Sequence, residues 1–101
     1  MKVDVSSVAS IDARRIIYQS EVAVLARALA GKKATLEIPD SSTVGDLVKL
    51  ADEAFNFSPD LKIVRSYLVI HEEEIDNSRL VHSLPIKKGE TIQIRYVVEV
   101  Y

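Results

Sequence analysis

Apolar and polar positions alternate with a period of two along Lys33–Pro39: Ala34, Leu36 and Ile38 fall on one side, Lys33, Thr35 and Glu37 on the other. That alternation predicts a half-buried strand. Pro39-Asp40-Ser41-Ser42 follows as a turn, and Thr43 stands three residues ahead of Asp46, the spacing of a capping box that satisfies orphan N–H groups at a helix start. The period then changes. Val44, Leu47, Ala51, Ala54 and Phe55 recur at helical spacing while Lys49, Asp52 and Glu53 take the other side, predicting an amphipathic helix over 44–55. Asn56–Asp60 is a loop with Pro59 as breaker. Ile63–Ile70 is rich in β formers and predicts a strand. Glu72–Asn77 predicts a short edge strand and turn, Leu80–Ile86 one helical turn stopped by Pro85, and Thr91–Tyr101 a final strand with Ile92, Ile94 and Tyr96 inward.

Upstream the pattern is weaker. Ile17, Val22 and Val24 alternate loosely within Arg15–Leu29, which predicts a strand. Ala30-Gly31-Lys32 would join it to the next strand, with a glycine free to take positive φ. Residues 1–21 carry Ser6, Ser7, Ser10 and Ser20 with Arg14 and Arg15, and read as an N-terminal extension. It is either a partly flexible arm or, through Val3, Val5 and Val8, an added edge strand. Residues 22–101 form the domain proper. The expected class is α+β, a mixed four- to five-stranded sheet wrapped on one α-helix.

Composition narrows the chemistry. A chain of 101 residues is one domain. Thirteen basic against fifteen acidic residues leave a net charge of -2, so no global field favours nucleic acid or an acidic membrane. With no cysteine, disulfides, thiolate metal sites and thiol nucleophiles drop out. No stretch approaches the ~20 apolar residues of a membrane helix, and Met1–Ser10 lacks the apolar run of a signal peptide. A soluble, cytoplasmic protein is the expectation.

The segment Leu29-Ala30-Gly31-Lys32-Lys33-Ala34-Thr35-Leu36-Glu37-Ile38 resembles the first hairpin of ubiquitin, where a Leu-x-Gly-Lys turn leads into a Thr-Leu-Glu strand. The likeness continues through Ser41-Ser42-Thr43-Val44 into the helix. After a longer loop it resumes at Tyr67-Leu68-Val69-Ile70 and holds through Ile75, Arg79, Ile86, Lys88 and Thr91, covering Val22–Tyr101. The resemblance implies the ubiquitin-like β-grasp fold. It also implies a binding surface: the family's apolar patch would fall on Leu29, Val69 and Arg95, its neighbouring histidine on Gln93, with Arg27 and His71 at the rim. One apolar member has become a cation, which would cost a generic ubiquitin reader ~1–3 kcal/mol to bury unpaired. The family's C-terminal Gly-Gly, which enters an activating enzyme and is adenylated, is replaced by Val100 and Tyr101. Both are bulky, and acyl-adenylate chemistry at that point is disfavoured.

Beyond the resemblance, no constellation of residues points to catalysis. His71 and His82 are the only histidines and fall in different elements, whereas a metal or nucleophilic site needs three or more convergent groups. Glu72-Glu73-Glu74 with Asp76 lacks the alternating ligands and glycine of a cation loop. Ser41, Ser42 and Thr43 read as turn and cap. Arg14, Arg15, Arg27, Lys32 and Lys33 are not interleaved with aromatics as in an RNA-binding patch. No enzyme activity, cofactor, metal or nucleic-acid partner is expected. The sequence predicts a non-covalent protein-interaction module, or a small subunit of a complex, reading a partner through Leu29, Val69, His71, Gln93 and Arg95. The apolar stretch with Tyr96, Val98, Val100 and Tyr101 is a second candidate, a strand edge that adds to a partner's sheet or to a second copy as a homodimer. The alternative reading is a covalent modifier or sulfur-carrier relative with an atypical or unprocessed C-terminus.

Overall fold

A computed structural model describes residues 1–101. Val3 and Val5 point to one side of a strand that runs the length of Lys2–Ala13 (β1). Helix α1 (Gln19–Leu29) follows, then strand β2 (Lys33–Glu37), helix α2 (Val44–Phe55), strands β3 (Ile63–Ile70) and β4 (Glu73–Glu74), a 3-10 turn at Val81–Ser83 and strand β5 (Thr91–Val100). The five strands form one mixed sheet in the order β2-β1-β5-β3-β4. β1 and β5 run parallel from Asp4↔Thr91 to Ala13↔Val100, and the other pairs are antiparallel. This is the β-grasp arrangement expected from the sequence.

The N-terminal third departs from expectation in two ways. Lys2–Ala13 is a full strand and not a frayed arm, and it is not confined to the edge of the sheet: β5 pairs along Asp4–Ala13 and β2 flanks Lys2–Ser6, which leaves one side open only beyond Ser7. Its serines hid the pattern: Ser7 takes an inward position and is buried, its Oγ accepting a hydrogen bond from the Lys32 N–H at 3.0 Å. Residues 19–29, expected as strand, are helical. Val22, Leu25, Ala26 and Leu29 recur at helical spacing there, and that period prevails over the looser alternation. Gly31 does take positive φ (79°), but it closes a helix-to-strand connection and not a hairpin. The sheet therefore carries two helices.

Both helices lie on one side. α2 starts with the predicted capping box, Thr43 Oγ1 accepting from Asp46 N–H at 3.2 Å and Asp46 Oδ2 from Thr43 N–H at 3.1 Å. It buries Val44, Leu47, Val48, Ala51 and Phe55 against Val3, Val5, Leu68, Ile92 and Ile94. A helix end is held by αL geometry at Asn56. α1 has no side-chain cap at Tyr18, and Leu29 is its one buried residue. The molecule is elongated, 43 × 22 × 20 Å.

Candidate interaction surface

Alternation along β5 sends Ile92, Ile94, Tyr96 and Val98 into the core, none more than 3% exposed. Gln93, Arg95, Val97 and Glu99 therefore face the opposite side, which no helix covers. Strand register builds that side in cross-strand rows. Ser6, Gln93 and Val69 form one, Val8, Arg95 and Tyr67 the next, Ser10, Val97 and Arg65 a third. The rows at either end are polar and internally paired. Thr35 Oγ1 donates to Asp4 at 2.6 Å at one end, and Arg14 sits 3.1 Å from Asp12 and 3.6 Å from Glu99 at the other.

Tyr67 occupies the middle of this face between two guanidinium groups. The Arg65 guanidinium lies 4.4 Å from its ring centroid and that of Arg95 5.9 Å, with Arg95 also donating to the phenol oxygen at 3.5 Å. Contacts of this kind are cation–π attractions of about 0.5–1 kcal/mol at exposed sites. Arg65 is further held by an ion pair with Glu74 on β4. Beside this cluster a depression of about 350 Å³ includes Val69, His71, Glu72, Glu90, Gln93 and Arg95 in its lining. Its lining includes the tight β3–β4 turn, with His71 and Glu72 both at positive φ (52° and 67°).

Of the residues singled out from the sequence, the structure brings Val69, His71, Gln93 and Arg95 together. Val69 is largely covered by its neighbours, at 8% exposure. Leu29 is elsewhere. It closes α1 and is fully buried in the core, because the helix in front of it turns the leucine inward where a hairpin would have left it on the surface. Arg27 is exposed on that same helix. The proposed strand-addition edge is also corrected. β5 lies between β1 and β3, so Tyr96, Val98 and Val100 already have strand neighbours on β1, and Tyr96 and Val98 also on β3. Tyr96 is 1% exposed, its hydroxyl donating to Asp52 Oδ1 at 2.6 Å and its ring 4.6 Å from that of Phe57. Only Tyr101 is exposed.

Tyr67, Arg65 and Val8 were assigned to no contact surface from the sequence. The first two share a period-of-two signal with Val69 inside Ile63–Ile70. Val8 was masked by the reading of its strand as a tail. The structure offers little else for chemistry. No three His, Cys, Asp or Glu side chains converge to hold a metal ion. His82 lies in the 3-10 turn and does not line the depression. No helix is long and apolar enough to cross a membrane.

No family profile and no curated protein matches the chain. Solved structures do. One is a computationally designed protein based on the template of human erythrocytic ubiquitin, 17% identical, with a TM-score of 0.53 over 94% of this chain and 89% of that one. A second, described as a molecular mimic of SUMO that promotes DNA repair, is 17% identical with a TM-score of 0.55 over 92% and 89%. A ubiquitin-like protein from the hyperthermophilic archaeon Caldiarchaeum subterraneum is 13% identical, with a TM-score of 0.42 over 100% and 99%.

Proposed function

We propose that this ubiquitin-like β-grasp chain is a non-covalent protein-interaction module, alone or as a small subunit of a complex, and that the helix-free side of its sheet is the contact surface. One observation carries the reading: both helices stack on a single side, leaving Tyr67 and Arg95 at the centre of the other with paired charges at its two ends. Tyr and Arg are the residue types that dominate interface energetics, and a polar rim around a less polar centre is the usual layout. A partner that fits would lay an apolar or aromatic side chain beside Val8 and Val97 and present a carboxylate to Arg95.

The covalent-modifier reading has less support. Val100 pairs with Ala13, its carbonyl accepts from the Arg14 N–H at 2.7 Å, and the Tyr101 carbonyl accepts from Arg15 Nε at 2.8 Å. Of the two residues at the positions of the family's diglycine, Val100 is thus held in the sheet and Tyr101 is tethered through its carbonyl, and an activating enzyme would have to peel Val100 away first.

A photo-crosslinker at Gln93, compared with one at Lys49 on α2, tests the surface in extracts of the source cells. The expected result is a discrete partner band from position 93 alone, lost in Arg95→Glu, which should weaken binding by ~1–3 kcal/mol. Equal labelling from both positions, or a band indifferent to Arg95→Glu, would remove the assignment. Heavier lysine-linked species in the intact mass of the native protein would restore the modifier reading.

A further inference from the structure

The helix inserted between β1 and β2 leaves half of β1 without a strand on that side. β2 pairs only with Lys2–Ser6. The last bonds toward it are made by Ser7, whose N–H donates to the Lys32 carbonyl at 2.8 Å and whose carbonyl accepts from the Gly31 N–H at 3.0 Å. β5, by contrast, accompanies β1 as far as Ala13, and the Arg14 N–H still reaches the Val100 carbonyl. Backbone groups alternate along a strand, so Ala9, Ile11 and Ala13 turn their N–H and C=O the same way as Ser7, away from β5. None of these groups has a backbone partner. α1 does not close the edge with hydrogen bonds; it lies over the core side, where Leu25 shares a depression with Leu61, Val98 and Val100.

The other free edges carry the usual protections against strand pairing. β2 is five residues long with Lys33 and Glu37 at its ends and Pro39 just beyond. On β3, whose outer side β4 covers only at Val69 and Ile70, the pairing with β5 is irregular between Ile63 and Arg65, and the Arg65 side chain is tied to Glu74. The β1 edge, Ala9-Ser10-Ile11-Asp12-Ala13, has no proline, bulge or lysine, and its single charge is already matched by Arg14.

We infer that a second copy of this chain occupies that edge, the two β1 strands pairing antiparallel about a two-fold axis at Ile11. The register follows from the sequence. Centred on Ile11, Ala9 faces Ala13 of the second copy, Ile11 faces Ile11, and Ser10 faces Asp12, so every free backbone group is used in about six N–H···O bonds. Moving the centre one step toward the N-terminus runs Ala13 into Ser7, whose groups are taken. One step the other way sets Asp12 against Asp12. The pairing is isologous, as a closed dimer requires. Residues opposite in register share a side, so both helix layers stay together and the two Tyr67 faces join into one continuous surface. An edge this short makes a weak, concentration-dependent dimer. The inference stands apart from the partner surface proposed above and survives its failure.

The test uses the whole chain, which has no cysteine of its own. Opposed Cα atoms of a hydrogen-bonded antiparallel pair lie ~5.5 Å apart, within the ~4.4–6.8 Å of a disulfide. The expected result is a mass that rises toward the dimer with concentration in sedimentation, and covalent dimer on mild oxidation of Ile11→Cys but not of Thr35→Cys on β2. Ala13→Pro removes an N–H that serves no bond within the chain and should leave the melting curve unchanged. It should weaken the dimer about tenfold or more, for two of the six bonds. A monomer at every concentration overturns the inference, as does a dimer that Ala13→Pro leaves intact or that Thr35→Cys traps in place of Ile11→Cys.

Discussion

The two halves of the β1–β5 pair are built by different means. In the near half, Val3, Val5, Ile92 and Ile94 are sealed beneath α2, a helix with a reciprocal cap and five buried side chains, and β2 completes the sheet. In the far half the same two strands continue, but the covering helix, α1, has no side-chain cap, buries a single residue outright, and leaves Val24 exposed. Ala9 and Val100 there are only partly covered. The near half holds most of the core; the far half continues that core more thinly, through Leu29, Tyr96 and Val98. Stability in proteins is distributed unevenly along such lines, the less buried unit opening first.

The comparison can be broken from its strong side. Leu47→Ala empties a fully buried position under α2 and should cost ~2–5 kcal/mol, read as a shift of the whole denaturation transition. Leu29→Ala, at the joint, is expected to cost less globally, about 2–3 kcal/mol, but to speed hydrogen exchange across α1 far more than across α2. Equal acceleration in both helices would show that the halves are one unit. Caps give the next rank of effect. Thr43→Ala should lose ~1 kcal/mol from α2, whereas Tyr18→Asp supplies α1 with the cap it lacks and should slow exchange in its first turn, a gain of ~0.5–1 kcal/mol.

The smallest effect is in pH dependence. Burial raises the Asp52 carboxyl above its ordinary 3.8, against the opposing hydrogen bonds from Tyr96 and Ser66. The native state then holds a proton on Asp52 at pH values where the unfolded chain has lost it. Its contribution to stability accordingly falls as pH rises from 3.8 through the native value. Asp52→Asn keeps an acceptor for the Tyr96 hydroxyl and cannot titrate. Wild type should therefore gain on Asp52→Asn as pH is lowered through that window, measured by urea melts at a series of pH values; a constant difference would contradict it.

What was legible in the sequence divides along the same line. α2 and the strands after it announced themselves because each local signal agreed with the global one: Thr43 with Asp46 at the cap, Val44, Leu47 and Ala51 on one face, Ile92, Ile94 and Tyr96 alternating. The far half is where signals conflicted. Ser7 sits in a core position that normally holds an apolar side chain, and its hydrogen bond to Lys32, which makes that tolerable, joins residues far apart in sequence. In α1 two periods overlapped within a few residues, and only contact with the sheet chooses between them. The contact face was half legible for the same reason. Val69, Gln93 and Arg95 lie on strands whose alternation was clear, whereas Leu29 changed sides once its segment proved helical.

The parallel ladder of β1 with β5 also sets the order in which the chain can fold. Every pair in it, from Asp4↔Thr91 to Ala13↔Val100, joins residues separated by nearly the whole chain. Contacts that distant form slowly, since the loop must close before any of them repays the loss of freedom. During synthesis the first strand leaves the ribosome with its β5-facing groups exposed, and it waits through β2, α2 and β3 for its neighbour. Until Thr91–Val100 are free to pair, Val3 and Val5 have half a sheet to pack in, and the incomplete sheet keeps apolar surface exposed.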